Sequence, residues 1–188
     1  MRVDIERWQS KYRRATLAES LNPDPLLSRH SDLFSGEGIA FDIASGTGHA
    51  AVYLALRGYE VMAFDCSVEG LRLAQLLAVR EGTKISPVAI DLDEVHLPRA
   101  RADVLTCFRY LNRALFPAML EALKPGGLLI YKTFNHHHLR RTPSFNQRYV
   151  LRPGELGELT TNLSVIDLDD GNDSGKTSSW LIARTLAR

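Results

Sequence analysis

The sequence predicts a doubly wound α/β domain: a mostly parallel sheet with helices on both faces and an antiparallel hairpin at its C-terminal end. Two observations carry this prediction. From residue 38 onward, short apolar runs alternate with longer helix-forming segments, and that alternation builds a parallel sheet. The last two apolar runs are joined by a connection too short for a crossover, so they must pair antiparallel.

The elements follow in order. Residues 4–15 suit a short helix with Trp8 and Tyr12 four apart on one face. Asn22-Pro23-Asp24-Pro25 marks a loop. A strand over 38–44 leads into Ser45-Gly46-Thr47-Gly48, and an Ala- and Leu-rich helix over 49–57 ends at Gly58. A buried strand over 59–64 ends at Asp65, and Ser67 caps a helix reaching Arg80. The third strand, 84–90, ends at Asp91, with Pro87 favouring a late start. A fourth strand occupies 102–108. A helix over much of 112–123 must begin or kink at Pro117. Pro125-Gly126-Gly127 makes a turn before a fifth strand at 128–132. Residues 133–151 are polar and aperiodic, and Pro153 opens a short helix ending near Thr160. Strands at 163–168 and 177–185 close the chain around the turn-rich segment 169–175.

Composition narrows the class. The 188 residues are 45% hydrophobic and 24% charged, which suits one globular domain over 1–188, with 1–36 as an N-terminal helix and loop and 37–188 as the α/β core. No apolar run approaches the roughly 18–20 residues of a membrane span, and the charged N-terminus has no signal-peptide pattern. Two cysteines, Cys66 and Cys107, give no disulfide framework and fit a reducing cytoplasm. A net charge of +1 gives no global reason to expect a polyanionic partner.

In such sheets ligands bind at the carboxyl ends of the strands near the switch point, which places Gly46, Asp65, Asp91 and Phe108 around one crevice. Gly46-Thr47-Gly48-His49-Ala50-Ala51 fits the GxGxxA fingerprint shared by sites for NAD, FAD and S-adenosylmethionine. Asp65 is positioned to accept from ribose hydroxyls. Asp42, inside an apolar strand four residues before Gly46, needs donors; it can hold the glycine loop or meet the ammonium of a methionine moiety. Asp91 can accept from an adenine amino group. Lys124-Pro125-Gly126-Gly127 is a turn with no role in dinucleotide binding, and no second mononucleotide half follows Asp65.

FDIASGTGHAAVYLALRGYEVMAFDCS, residues 41–67, resembles the first motifs of class I S-adenosylmethionine-dependent methyltransferases, and LKPGGLLIYKTF, residues 123–134, resembles their fifth-strand motif. Trp8 to Arg13, Tyr110-Leu111-Asn112-Arg113 and Leu151-Arg152-Pro153-Gly154-Glu155-Leu156 are similar to segments of the small bacterial branch related to tellurite-resistance methyltransferases. The resemblance implies a seven-stranded Rossmann-like sheet, S-adenosylmethionine as cofactor, and Asp42, Ala44, Gly46, Gly48, Asp65, Cys66, Asp91, Leu92, Phe108 and Arg13 as cofactor-binding positions. It departs at Ser45, where the family usually carries Cys or Gly, and at the run His136-His137-His138.

Methyl transfer from a sulfonium needs alignment more than acid–base machinery, so the lack of an obvious triad is no objection. Trp8 and Tyr12 either cover the cofactor cleft or pack the terminal helix. Arg13 either pairs with the methionine carboxylate or is solvated. The basic segment 134–150 reads as a lid over the acceptor, with Arg140, Arg141 and Tyr12 as the candidate catalytic residues. A small molecule or oxyanion is the expected acceptor. An RNA or protein acceptor met by arginines 109, 113, 140, 141 and 148 is a second reading, and a catalytically idle binding module or partner subunit a third. Adjacent histidines point in different directions, so 136–138 is not expected to hold a metal.

Overall fold

The computed structural model describes residues 2–94, 96–172 and 175–187. Seven strands form one sheet, in the spatial order 86–89, 60–65, 39–43, 102–108, 123–134, 178–185 and 163–169. The chain divides into two compact units, residues 1–96 and 97–188.

The first unit begins with α1 (Arg2–Arg13) and α2 (Pro25–Arg29), then β1 (Ile39–Ile43), α3 (His49–Leu56), β2 (Glu60–Asp65), α4 (Val68–Arg80) and β3 (Ser86–Ala89). Its three strands are parallel, with Ile43 opposite Phe64 and Asp65 opposite Ala89. β1 and β2 bury nearly every residue, as strands covered on both faces must. Phe41 and Phe64 meet edge to face with centroids 5.1 Å apart, and α3 buries Ala50 through Ala55 against them. β3 starts late, as Pro87 implies, and tolerates that proline because it is the sheet's edge. Short α2 falls where a plain loop is expected. Asp24 caps it by accepting from the Leu26 N–H at 3.0 Å, Pro25 opens it, and Leu26 and Leu27 are fully buried.

The second unit contains β4 (Ala102–Phe108), α5 (Phe116–Ala122), β5 (Leu123–Phe134), α6 (His137–Arg141), α7 (Glu155–Glu158), β6 (Leu163–Asp169) and β7 (Ser178–Thr185). β4 and β5 are parallel; β7 pairs antiparallel with both β5 and β6. Asp173 and Ser174 of the expected turn lie outside the described residues. Tyr131 is fully buried, packs 4.9 Å from Phe116 and donates to the Tyr110 carbonyl at 2.6 Å.

Two sequence expectations need correction here. The helix before β5 is shorter than residues 112–123: a 3-10 turn at Arg113–Leu115 precedes α5, with Pro117 in the first turn of that helix. β5 also begins earlier, because Leu123 pairs with Ala102 before the register shifts to Leu128 against Val104. Residues 124–127 bulge out between these pairings. Lys124 donates to both Asp103 oxygens at 2.8 and 2.7 Å, while Arg184 and Thr185 donate to the Gly126 and Lys124 carbonyls.

Candidate cofactor site

The glycine loop leaves β1 through Ala44, whose φ of 55° is unusual for a residue with a side chain. Such strain persists where the surroundings enforce it, often at ligand sites. The Ser45 N–H bonds to the Phe64 carbonyl at 3.0 Å, and the Gly48 N–H to the Ser45 carbonyl at 2.9 Å. Gly48 then starts α3 at φ 79°, so close to α4 that a methyl on it would stand 2.4 Å from the Ala74 side chain.

Asp65 holds this loop directly. One carboxylate oxygen accepts the Gly46 N–H at 2.8 Å and the other accepts the Ser67 N–H at 2.8 Å. The Cys66 backbone and side chain also donate to this carboxylate. Burial pushes the Asp65 carboxyl above its usual range, and hydrogen bonds from Ser67, Gly46 and Cys66 oppose that rise. Burial, with the neighbouring Asp65 charge, pushes the adjacent Cys66 thiol up to about 11, so Cys66 stays protonated and is not a nucleophile at neutral pH.

Asp42 is nearly fully buried and accepts the Ala51 N–H at 3.1 Å, meeting one of the unpaired donors at the start of α3. It therefore fastens the helix that follows the loop. His49 does related work, since its Nδ1 accepts the Asn22 N–H at 3.1 Å. At the end of β3, Asp91 folds into a tight turn by accepting the Asp93 N–H at 3.0 Å, with Leu92 buried beside it. Tyr12 lies against Gly46, where a methyl would stand 2.6 Å from its hydroxyl, and Trp8 stacks on Tyr12 at 5.8 Å. Arg13 ends α1 exposed, with no hydrogen bond or ion pair among the described residues.

These features suit a ligand with a ribose and a charged tail. The Ser45 hydroxyl is buried without a partner, and a shielded carboxylate stands at the end of β2.

The second unit carries the remaining candidates. Phe108 ends β4, and the next residue, Arg109, has φ 57° and donates its N–H to the Lys132 carbonyl. The segment after β5 is more ordered than an aperiodic lid implies. Its ends meet: the Leu151 N–H bonds to the Phe134 carbonyl at 2.9 Å, and the His136 N–H to the Leu151 carbonyl at 3.0 Å. Phe134, His138 and Phe145 pack together within it. This is a closed surface loop of the Ω type. The His136 and His137 rings pack with centroids 3.9 Å apart; His137 Nε2 lies 2.9 Å from the Gly171 carbonyl, His138 stacks on Phe134, and His136 keeps a buried, unpartnered Nδ1. Burial and the nearby His137 and Arg140 charges hold His136 below its usual pKa. Arg140 and Arg141 are exposed on α6.

Arg113 is the clear correction. It does not join an exposed arginine patch. Its guanidinium grips Glu155 bidentately at 2.6 and 3.0 Å and donates to the Arg148 and Val150 carbonyls.

A methyltransferase-domain family model matches residues 40–127. A ubiquinone biosynthesis O-methyltransferase from Idiomarina loihiensis is 30% identical over 125 residues, covering 62% of this chain and 51% of that protein. Its counterpart from Chromobacterium violaceum is 26% identical over 176 residues, covering 81% and 75%. The chain thus spans between about half and three quarters of the length of these two relatives. Among solved structures, TehB from Haemophilus influenzae is similar in fold with a TM-score of 0.72 at 14% identity, covering 95% of this chain and 67% of that one. An S-adenosylmethionine-dependent methyltransferase from Mesorhizobium loti has a TM-score of 0.67 at 18% identity, covering 85% and 96%. A methyltransferase domain is thus matched over residues 40–127, the chain is similar to methyltransferases, and its fold is that of the solved methyltransferase structures.

Proposed function

We propose that the chain transfers the methyl group of S-adenosylmethionine to a small-molecule or oxyanion acceptor. The observation that carries the reading is the hold of buried Asp65, at the end of β2, on Gly46 of the glycine loop and on Ser67. When bound, S-adenosylmethionine supplies a methyl carbon activated by a sulfonium and open to in-line displacement. In this reading Asp65 takes the ribose hydroxyls and Asp91 the adenine amino group, with Leu92 beside the base. Ala44, Gly46, Gly48 and Cys66 line the cofactor, Asp42 keeps α3 in place behind the loop, and Arg13 receives the carboxylate. Both relatives are named O-methyltransferases, which favours an oxygen nucleophile.

Calorimetry tests the cofactor. S-adenosylmethionine and S-adenosylhomocysteine are expected to bind, and NAD to bind much more weakly. Preferential binding of NAD would overturn the reading.

The loop after β5 is proposed to receive the acceptor. Two exposed guanidiniums on α6 favour an anionic group there. Arg140→Ala/Arg141→Ala should lower transfer of labelled methyl into acceptors of a cell extract while leaving S-adenosylhomocysteine affinity unchanged. Full transfer by the double variant would remove these arginines from the mechanism. Tight cofactor binding by the wild type with no transfer to any extract component would favour a binding module over an enzyme.

A further inference from the structure

α1 is anchored at two points, and both lie beside the glycine loop. The Gln9 side-chain oxygen accepts from the Ser67 hydroxyl at 2.8 Å and from the Glu69 N–H at 3.3 Å, so α1 supplies part of the cap of α4. One turn later, Tyr12 occupies a notch made by two glycines. A methyl on Gly46 would stand 2.6 Å from the Tyr12 hydroxyl. A methyl on Gly70 would stand 3.0 and 3.2 Å from the edge of the same ring and 3.1 Å from the Gly46 carbonyl.

Gly70 is the informative residue. It sits in the first turn of α4, where its backbone has an ordinary helical conformation. Glycine there is a poorer choice than alanine for helix stability. The backbone gives no reason for it; the Tyr12 ring and the Gly46 carbonyl do.

We propose that the Gly46–Gly70 notch is a receptor for Tyr12 that makes α1 a clasp on the cofactor loop, with Gly70 and Gln9 as positioning residues for cofactor binding. The inference rests on the reading of this loop as the S-adenosylmethionine site. Asp65 holds Gly46 by its N–H while Tyr12 closes its other side, so seating Tyr12 fixes the loop before a ligand arrives. A preorganised loop binds more tightly because less ordering remains to be done.

Calorimetry with S-adenosylhomocysteine and thermal melting on four proteins test this: wild type, Gly70→Ala, Tyr12→Ala and the double variant. Gly70→Ala should melt at or above the wild-type temperature yet bind roughly tenfold more weakly. A purely structural glycine would not separate those two readouts in that direction. Adding Gly70→Ala to Tyr12→Ala should cost little more, since both act through one contact. Wild-type affinity in Gly70→Ala would overturn the clasp. So would an equal further loss in the double variant, because the effect would then run through the Gly46 carbonyl alone. Should Gly70→Ala melt below wild type, Gln9→Ala removes the other anchor and should show the same loss of affinity; unchanged affinity there would overturn the proposal. Failure of the wild type itself to bind S-adenosylhomocysteine would instead sink the cofactor reading.

Discussion

Asp65→Ala is expected to weaken S-adenosylhomocysteine binding roughly hundredfold or more, the sum of two charge-assisted bonds at about 1.5–3 kcal/mol each. The loss has two sources. In the proposed site ribose hydroxyls lose their acceptor, and the Gly46 and Ser67 N–H groups lose theirs, so the glycine loop is released. Asp65→Asn keeps one accepting oxygen but turns an amide donor toward one of the two N–H groups, and it should fall between wild type and Ala. The pH dependence follows from burial, which raises this carboxyl above the ordinary aspartate value of 3.8. A raised acid favours folding most below the unfolded value, and that contribution is lost as pH rises through the folded value. Cofactor binding runs the other way: it requires the anion, so affinity should climb across the same window. A folded Asp65→Ala protein with an unchanged dissociation constant at neutral pH would show that the carboxylate does not face the ligand.

Legibility from sequence followed the range of the interactions. β1, β2 and α4 lie within a residue or so of their expected bounds, because continuous apolar runs and the Ser67 cap are local signals. α2 was invisible, since five residues are too few to show a helical period. The early start of β5 was hidden by Pro125-Gly126-Gly127, which reads as a turn and is a bulge within the strand. Within the cofactor site, the acids at strand ends and the glycine loop were plain from their spacing. The notch for Tyr12 was not, because Gly46 and Gly70 become neighbours only after folding. One signal did exist: a glycine in the first turn of an otherwise well-formed helix asks for a packing reason. The partners of Arg113 were beyond reach for the same cause, since Glu155 lies 42 residues away.

That ion pair carries the second large expectation. Glu155 is 3% exposed and receives Arg113 at two points, together with the Arg152 N–H at 2.8 Å. Removing one partner of a buried pair leaves the other charge uncompensated, at a cost of about 3–5 kcal/mol. Arg113 retains 38% exposure, so the lower end applies. For a chain of this length, about 3 kcal/mol corresponds to a fall in melting temperature of roughly 6–12 °C in Glu155→Gln. The pH dependence provides an internal control. Arg113 holds the Glu155 carboxyl down at about 2, against an ordinary 4.5. A depressed acid stabilises fully above its unfolded value and loses that contribution as pH falls from there through the folded value. Wild type should therefore lose stability between pH 4.5 and about 2 more steeply than Glu155→Gln, which has no such group to protonate. Arg113 also donates to the Arg148 and Val150 carbonyls, so loosening it should free the base of the loop that carries Arg140 and Arg141. Trypsin should then cut that loop faster in the variant than in wild type. Equal melting temperatures and equal cleavage would mean that the Arg113–Glu155 pair holds neither the unit nor its loop.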